Sequence, residues 1–211
     1  MKTCTILLSY IERWTPEYIR AQCAGADLIV CADAGQKIAR KSGIEPDIVI
    51  GDFDSTGEFI RFDCPYITYP VEKDLTDTEA CLEYVTERGY EDIRLIGGIG
   101  GRLDHTLGNL ALLLRFYAPG RRIRLIDPVN SAEFLQSGSL VLPKDPSLRF
   151  FSLVPVDEQA SGVTITGAKY GLKNGVLRRA STMGISNEVT DEEAVVSVGT
   201  GGVFVIRSQD Q

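Results

Sequence analysis

Up to about residue 127, short apolar runs alternate with helical patterns. The runs Thr5-Ile6-Leu7-Leu8, Leu28 to Ala32, Asp47 to Ile50, Tyr66 to Tyr69, Ile93 to Ile96 and Ile123 to Ile126 are nearly free of polar interruption. Such runs predict strands buried on both faces, as in a parallel sheet covered by helices. Thr15-Pro16-Glu17 places an N-cap residue before a proline at the first helical position, and that helix stops near Gly25. A second helical stretch, Gln36 to Lys41, is closed by Gly43. Thr76-Asp77-Thr78-Glu79 fits a capping box with Thr76 as N-cap; the helix then buries Ala80, Cys81, Tyr84 and Val85 before Gly89 ends it. Leu103, Leu107, Leu110, Leu114 and Tyr117 recur at steps of four and three, which predicts one buried stripe with His105, Thr106 and Asn109 on another face. Strand and helix in turn predict an α/β domain over residues 1–128, a doubly wound, mainly parallel sheet.

Beyond a short linker around Pro128 to Ser131 the period changes to two. Ser139 to Leu142, Arg149 to Leu153, Val163 to Thr166, Ala194 to Val198 and Val203 to Ile206 are separated by Gly, Pro, Asn and Asp. Lys173-Asn174-Gly175 carries the asparagine-glycine pair favoured in tight hairpins. Residues 129–211 are therefore expected to form an all-β domain, a sandwich or a barrel.

Composition narrows the function classes. The chain has 22 Lys and Arg against 29 Asp and Glu, a net charge of −7, which argues against nucleic acid or a membrane surface as partner, because both are polyanionic. A hydrophobic share of 44% supplies a core, and no apolar stretch approaches the ~20 residues that span a bilayer. The opening run Ile6-Leu7-Leu8 is too short for a secretion signal. Five cysteines, an odd number without CxxC spacing, are expected as buried thiols in a reducing cytoplasm. His105 is the only histidine, so a zinc site is not expected.

Candidate chemistry gathers at strand ends. Asp33 follows the second apolar run, and Asp52, Asp54 and Ser55 follow the third. The ligand crevice of an open parallel sheet lies beyond the carboxyl ends of its strands. A single such aspartate reads as a turn or cap residue; three at two strand ends read as a site. Asp77 adds a carboxylate in a first helical turn, and Lys73-Asp74 beside it adds a cation for phosphate. Hard oxygen ligands without His or Cys suit Mg²⁺. Gly97-Gly98-Ile99-Gly100-Gly101-Arg102-Leu103-Asp104-His105 leads into a helix, with glycines that admit close backbone approach and Arg102 as a forked phosphate donor. His105 is expected to support the site rather than to react. The run Asp52-Phe53-Asp54-Ser55-Thr56 also satisfies the D-x-D-x-T pattern of haloacid-dehalogenase-like phosphatases, but the later acidic pair of that family is missing.

In order along the chain, Ala32-Asp33-Ala34-Gly35, Gly51 to Ser55, Lys73 to Asp77, Gly97 to His105 with Asn109, and Gly184-Ile185-Ser186-Asn187-Glu188 resemble thiamine pyrophosphokinase. The resemblance implies an α/β nucleotide-binding domain followed by a β-sandwich domain that binds thiamine. It also implies a homodimer with active sites at the subunit interface, and Mg-dependent transfer of the diphosphate of ATP to the hydroxyl of thiamine. It assigns Asp52, Asp54 and Asp77 to metal and triphosphate. Asp33, Ser55, Lys73, Arg102 and Asp104 would line the same pocket, Asn109 would support the loop, and Ser186 and Asn187 would contact thiamine. Asp77 or Asp104 is implied as proton acceptor. Two alternatives remain open at this level, a related pyrophosphokinase acting on a hydroxymethyl pterin and a non-catalytic nucleotide-binding regulator. The tryptophan on which some members stack thiamine has no C-terminal counterpart, since the only tryptophan is Trp14.

Overall fold

The structure is a computed structural model that describes residues 1–52, 60–68 and 75–210. It divides into two compact units, Met1–Pro128 and Val129–Gln211.

The first unit alternates strand and helix: β1 (Thr3–Leu7), α1 (Pro16–Cys23), β2 (Leu28–Ala32), α2 (Gly35–Ser42), β3 (Ile48–Gly51), β4 (Tyr66–Thr68), α3 (Asp77–Glu87), β5 (Asp92–Ile96), α4 (Leu103–Arg115) and β6 (Arg122–Ile126). Its strands lie in the order β6-β5-β1-β2-β3-β4, and each adjacent pair is parallel. The chain builds outward from β1 to β4 on one side and then returns to place β5 and β6 on the other. The order therefore reverses between β1 and β5, where connections diverge and leave a crevice at the carboxyl ends. The helix-start and helix-end signals act as read, except that Glu79, expected to reach back in the capping box, pairs with Arg115. Thr15 Oγ1 accepts the N–H of Tyr18, Thr76 Oγ1 accepts that of Glu79, and Gly43 ends α2 in a left-handed conformation. α3 buries Ala80, Cys81, Leu82 and Val85, so Leu82 takes the place expected for Tyr84, whose ring lies under the Arg88 guanidinium at 3.6 Å.

Helix α4 departs from expectation. Its buried face is Asn109, Leu112, Leu113 and, just beyond the helix, Phe116, whereas Leu103 and Leu107 are 70% and 57% exposed. Asn109, Leu112, Leu113 and Phe116 are themselves spaced i, i+3, i+4, i+7, so the helix carries two overlapping apolar stripes. The stripe containing the polar residue is the buried one: Leu112, Leu113 and Phe116 enter the core, and Asn109 on the same face is accommodated by a partner in the glycine loop.

The second unit holds β7 (Asn130–Pro143), β8 (Phe150–Pro155), β9 (Gln159–Thr166), β10 (Leu172–Arg178), β11 (Asn187–Glu188) and β12 (Glu193–Ser208). Every pairing among them is antiparallel. The early part of β12 lies between β7 and β9. After a register shift between Val198 and Gly202, its later part lies between β7 and β8. The two parts enclose a core that includes Leu142, Phe151, Leu153, Val163, Leu177, Val196 and Val205. Two local expectations are corrected. The residues read as linker already enter β7 at Asn130. Asn174-Gly175 is not a hairpin turn but an irregularity inside β10, where Asn174 has φ of 50° and the register to β9 shifts. A bulge and a tight turn make the same demand for left-handed backbone, so the sequence signal is shared.

All five cysteines are free thiols, four of them buried. No helix among the described residues is long and apolar enough to cross a membrane.

Candidate active site

Asp33 leaves β2 with φ of 37°, a conformation uncommon for a residue with a side chain. Its N–H donates to the Ile50 carbonyl at 2.8 Å, which ties the end of β2 to β3. A Cβ on Gly51 would come within 2.9 Å of the Asp33 Cβ, so glycine there lets the two strand ends close together. Asp52 follows directly, and Asp77 is the first residue of α3. The carboxylates of Asp33, Asp52 and Asp77 each offer an oxygen, and these oxygens lie within 4.8 Å of one another. Asp33 is buried, and the other two are partly buried. They line a cavity of about 220 Å³ with Leu8, Ser9 and His105. Leu8 and Ser9 follow β1, so the cluster stands at the reversal of strand order. Asp54, Ser55 and Lys73 lie outside the described residues.

The glycine loop follows β5 on the other side of that reversal. Gly98 has φ of 77°, and a Cβ there would meet Asn109 Nδ2 at 2.4 Å and a methyl of Leu8 at 2.8 Å. Only glycine lets the loop take this course. Asn109 Nδ2 donates to the Gly98 carbonyl at 3.0 Å, and Thr106 Oγ1 accepts the Gly100 N–H at 3.0 Å. α4 thus holds the loop by two side chains. Ser9, Tyr10, Gly98, Arg102 and Asn109 line a second cavity of about 200 Å³, again with His105. A third, of about 230 Å³ between α3 and α4, is bordered by Glu79, Asp104, Gly108 and His105. Of the residues around these three cavities, His105 alone faces all of them.

Arg102 and Asp104 engage each other. Arg102 Nε donates to Asp104 Oδ1 at 3.1 Å and Nη2 to Oδ2 at 2.6 Å, a two-pronged pair on an exposed surface. The hydrogen bonds from Arg102 hold the Asp104 carboxyl down to about 2. A carboxylate so held is a weak proton acceptor.

In the second unit, Ser186 has φ of 59° and its N–H donates to Ser152 Oγ at 3.1 Å. Asn187 is buried, and its side chain is engaged with the backbone of Tyr170. Asn187 borders a cavity of about 270 Å³ with Tyr170, Leu172, Leu177, Met183 and Ile185. Sequence reasoning marked neither Tyr170 nor Met183, and Ile185 only as part of the run from Gly184 to Glu188. The available signal was three large apolar side chains close to Ser186-Asn187 in the chain or, for Tyr170, across the β9–β10 connection.

Comparison with known proteins decides the family. Residues 20–125 match the family described as thiamin pyrophosphokinase, catalytic domain, and residues 139–203 match thiamin pyrophosphokinase, vitamin B1 binding domain. The chain belongs to the thiamine pyrophosphokinase family. It is 35% identical over 188 residues to the thiamine pyrophosphokinase of Bacillus subtilis, covering 87% of this chain and 88% of that one. The crystal structure of thiamine pyrophosphokinase from Bacillus subtilis superposes with a TM-score of 0.89 at 30% identity over the whole of both chains. That of thiamin pyrophosphokinase from Geobacillus thermodenitrificans gives 0.86 at 32% identity, over 99% of this chain and 98% of that one. The run from Asp52 to Thr56 thus belongs to a thiamine pyrophosphokinase rather than to a phosphatase.

Proposed function

We propose that this thiamine pyrophosphokinase transfers the diphosphate of ATP to the primary hydroxyl of thiamine, giving thiamine diphosphate and AMP. The observation that carries the proposal is the Asp33, Asp52 and Asp77 cluster at the reversal of strand order, in a chain of this family. The relatives support thiamine as acceptor and give no support to the pterin or regulator readings.

The carboxylates fit Mg²⁺. At metal–oxygen distances of ~2.0–2.1 Å, ligand oxygens on one ion stand roughly 3–4 Å apart. A spread of at most 4.8 Å closes on such an ion by small side-chain rotations. Asp52 and Asp77 would hold it, with Asp33 beside them, and we assign Asp54 to the same set. Bound there, Mg²⁺ supplies charge neutralisation to the triphosphate. The chain's own groups do the rest. Gly98 to Gly101 bring backbone close to the phosphates, Asn109 keeps that loop in place, and Arg102 and Lys73 steady the diphosphate. Arg102 reaches phosphate by exchanging its Asp104 carboxylate for phosphoryl oxygens, which have the same two-pronged geometry. Phosphoryl-type transition states are loose, so positioning outweighs a strong base. Asp77 and Asp104, the latter released as Arg102 turns to phosphate, are both candidates for accepting the hydroxyl proton.

We read the first unit as a doubly wound nucleotide-binding catalytic domain and the second as a β-sandwich that binds thiamine through the Ser186-Asn187 region. The reading includes a cytoplasmic homodimer with its sites at the subunit interface and neither nucleic acid nor membrane as partner. Exposed Leu103 and Leu107 beside the glycine loop support a covered surface there. The test is substitution: Asp52→Asn and Asp77→Asn should each lower kcat at least a hundredfold with unchanged circular dichroism. Near-normal turnover in both would refute the metal cluster.

A further inference from the structure

Asn187 and Glu188 are neighbours in β11 and serve opposite sides of it. Asn187 pairs with Phe151 of β8, which is fully buried, and Glu188 with Phe150, which is not. Successive residues of a strand point to opposite sides, so Glu188 is turned away from the cavity that Asn187 borders. A separate cavity of about 450 Å³ opens on the Glu188 side, larger than any of the four described above. None of its lining residues borders the Asn187 cavity.

The charges around this cavity leave donors to spare. Lys144 and Arg149 come to it from the β7–β8 connection and Lys169 from the β9–β10 connection, against two carboxylates, Asp145 and Glu188. Both carboxylates are engaged. Glu188 Oε2 accepts from Arg149 Nε at 2.9 Å and its Oε1 from Lys169 Nζ at 2.7 Å, while Asp145 Oδ1 accepts the N–H of Ser147 at 2.9 Å and its hydroxyl at 2.6 Å. The cations are not used up. Among the described residues Arg149 Nη1 and Nη2 have no acceptor, and Lys144 Nζ has the Thr190 carbonyl at 3.0 Å alone. The Arg149 guanidinium also stands over the Phe150 ring, 5.0 Å from its centroid. Glu188 and Phe150 thus position cations without exhausting them, and surplus donors on a guanidinium and two ammonium groups suit an oxyanion.

Volume and lining narrow the class of ligand. A cavity within the ~300–1,000 Å³ of small-molecule pockets holds more than a lone phosphate ion, and Pro146 and Val189 give it an apolar wall. A phosphomonoester carries about two charges at neutral pH, where a single carboxylate carries one.

We propose that this pocket binds a phosphomonoester with an apolar body, apart from the catalytic site, and that its occupancy weakens thiamine binding through β11. The bound phosphate draws Arg149 and Lys169 from Glu188, and those two ion pairs tie β11 to the segments beside it. Asn187, on the same two-residue strand, loses that support. Surface ion pairs are individually weak, so the expected rise in thiamine KM is roughly two- to fivefold. The kinetic half of the proposal rests on the proposed function, whose own failure would be distinct: wild-type protein releasing no AMP from ATP and thiamine.

The binding half is tested by backbone amide NMR of the full chain titrated with 1-naphthyl phosphate. Mg²⁺ and a non-hydrolysable ATP analogue are present throughout, to fill the phosphate site of the first unit. The signals of Val189, Thr190 and Gln209 should shift together. Inorganic phosphate should shift the same signals at least fivefold more weakly, and 1-naphthol should not shift them. Arg149→Ala and Lys144→Glu, each checked for folding by circular dichroism, should weaken binding of the ester at least tenfold. No shift of these signals at millimolar ester, equal binding by both variants, or equal binding of 1-naphthol would overturn the site; equal binding of inorganic phosphate would overturn the apolar body. In steady-state assays, 1-naphthyl phosphate at about three times its dissociation constant should raise the wild-type thiamine KM about twofold and leave that of Lys144→Glu unchanged. An unchanged wild-type KM, or an equal rise in Lys144→Glu, which marks direct competition with thiamine, would overturn the coupling.

Discussion

The Asn109 side chain donates to the Gly98 carbonyl across 3.0 Å, and by that bond helix α4 holds the loop that follows β5. The bond explains why a polar residue sits on the buried face of a leucine-rich helix. Its loss frees the loop that we assign to the phosphates.

Asn109→Ala should therefore act on nucleotide more than on thiamine. Removing the donor takes away a partly buried hydrogen bond, a cost of about 1 kcal/mol. Thermal unfolding should shift downward by a few degrees, and the KM for ATP should rise at least fivefold with the thiamine KM within twofold. Equal effects on both substrates would place the role of Asn109 outside the loop.

In the function we propose, Arg102 leaves Asp104 for phosphate, and the carboxyl titration reports that exchange. Paired, the Asp104 carboxyl lies depressed to about 2 against the usual 3.8. A depressed carboxyl contributes stability that is present above its unfolded value and lost as pH falls through the folded one, here between about 4 and about 2. Both side chains are exposed, so solvent screens the pair and the contribution is small. Carbon-13 NMR of the Asp104 carboxyl should show titration near 2 in the free enzyme. In Arg102→Ala the value should return towards the ordinary carboxylate range. Addition of a non-hydrolysable ATP analogue with Mg²⁺ should move the wild-type carboxyl in that same direction. No response to the analogue would contradict a phosphate role for Arg102.

The cysteines give a stability readout independent of activity. Cys4, Cys23, Cys31 and Cys81 are buried, and burial pushes the Cys23 thiol up to about 11 and those of Cys4 and Cys31 higher. Cys64 is partly exposed, with a thiol raised less. A thiol reagent at pH 8 should modify one cysteine per chain quickly and the other four only after denaturation, because the thiolate is the reacting form. Two or more fast thiols in the native protein would contradict the packing of the first unit.

How much of this was legible in the sequence depended on whether one residue pattern had one physical meaning. The strand ends had one: apolar runs marked β2 and β3, and Asp33 and Asp52 directly after them came together with Asp77 at the helix start. Helix α4 did not, since six leucines between 103 and 114 build two apolar stripes, and which of them is buried depends on how the helix packs in the fold. Asn174-Gly175 signals left-handed backbone without saying whether a turn or a bulge uses it. The resemblance led to Asn187, but the direction of its amide is a three-dimensional fact. That amide pairs with the N–H and the C=O of Tyr170, a partner far enough along the chain that no spacing announces it.

Exposed Leu103 and Leu107 on α4 bear on assembly. Light scattering after size exclusion should report a dimer, and Leu107→Glu should shift it towards monomer with loss of turnover, since a charge in a covered apolar surface is costly. A monomeric wild type with full activity would contradict an interface site.

The most direct measurement of the central claim is the identity of the adenine nucleotide formed when the purified chain is incubated with ATP, Mg²⁺ and thiamine. Transfer of a diphosphate predicts AMP and thiamine diphosphate in equal amounts, with neither formed when thiamine is omitted. ADP with thiamine monophosphate, or ADP and phosphate formed without thiamine, would contradict it.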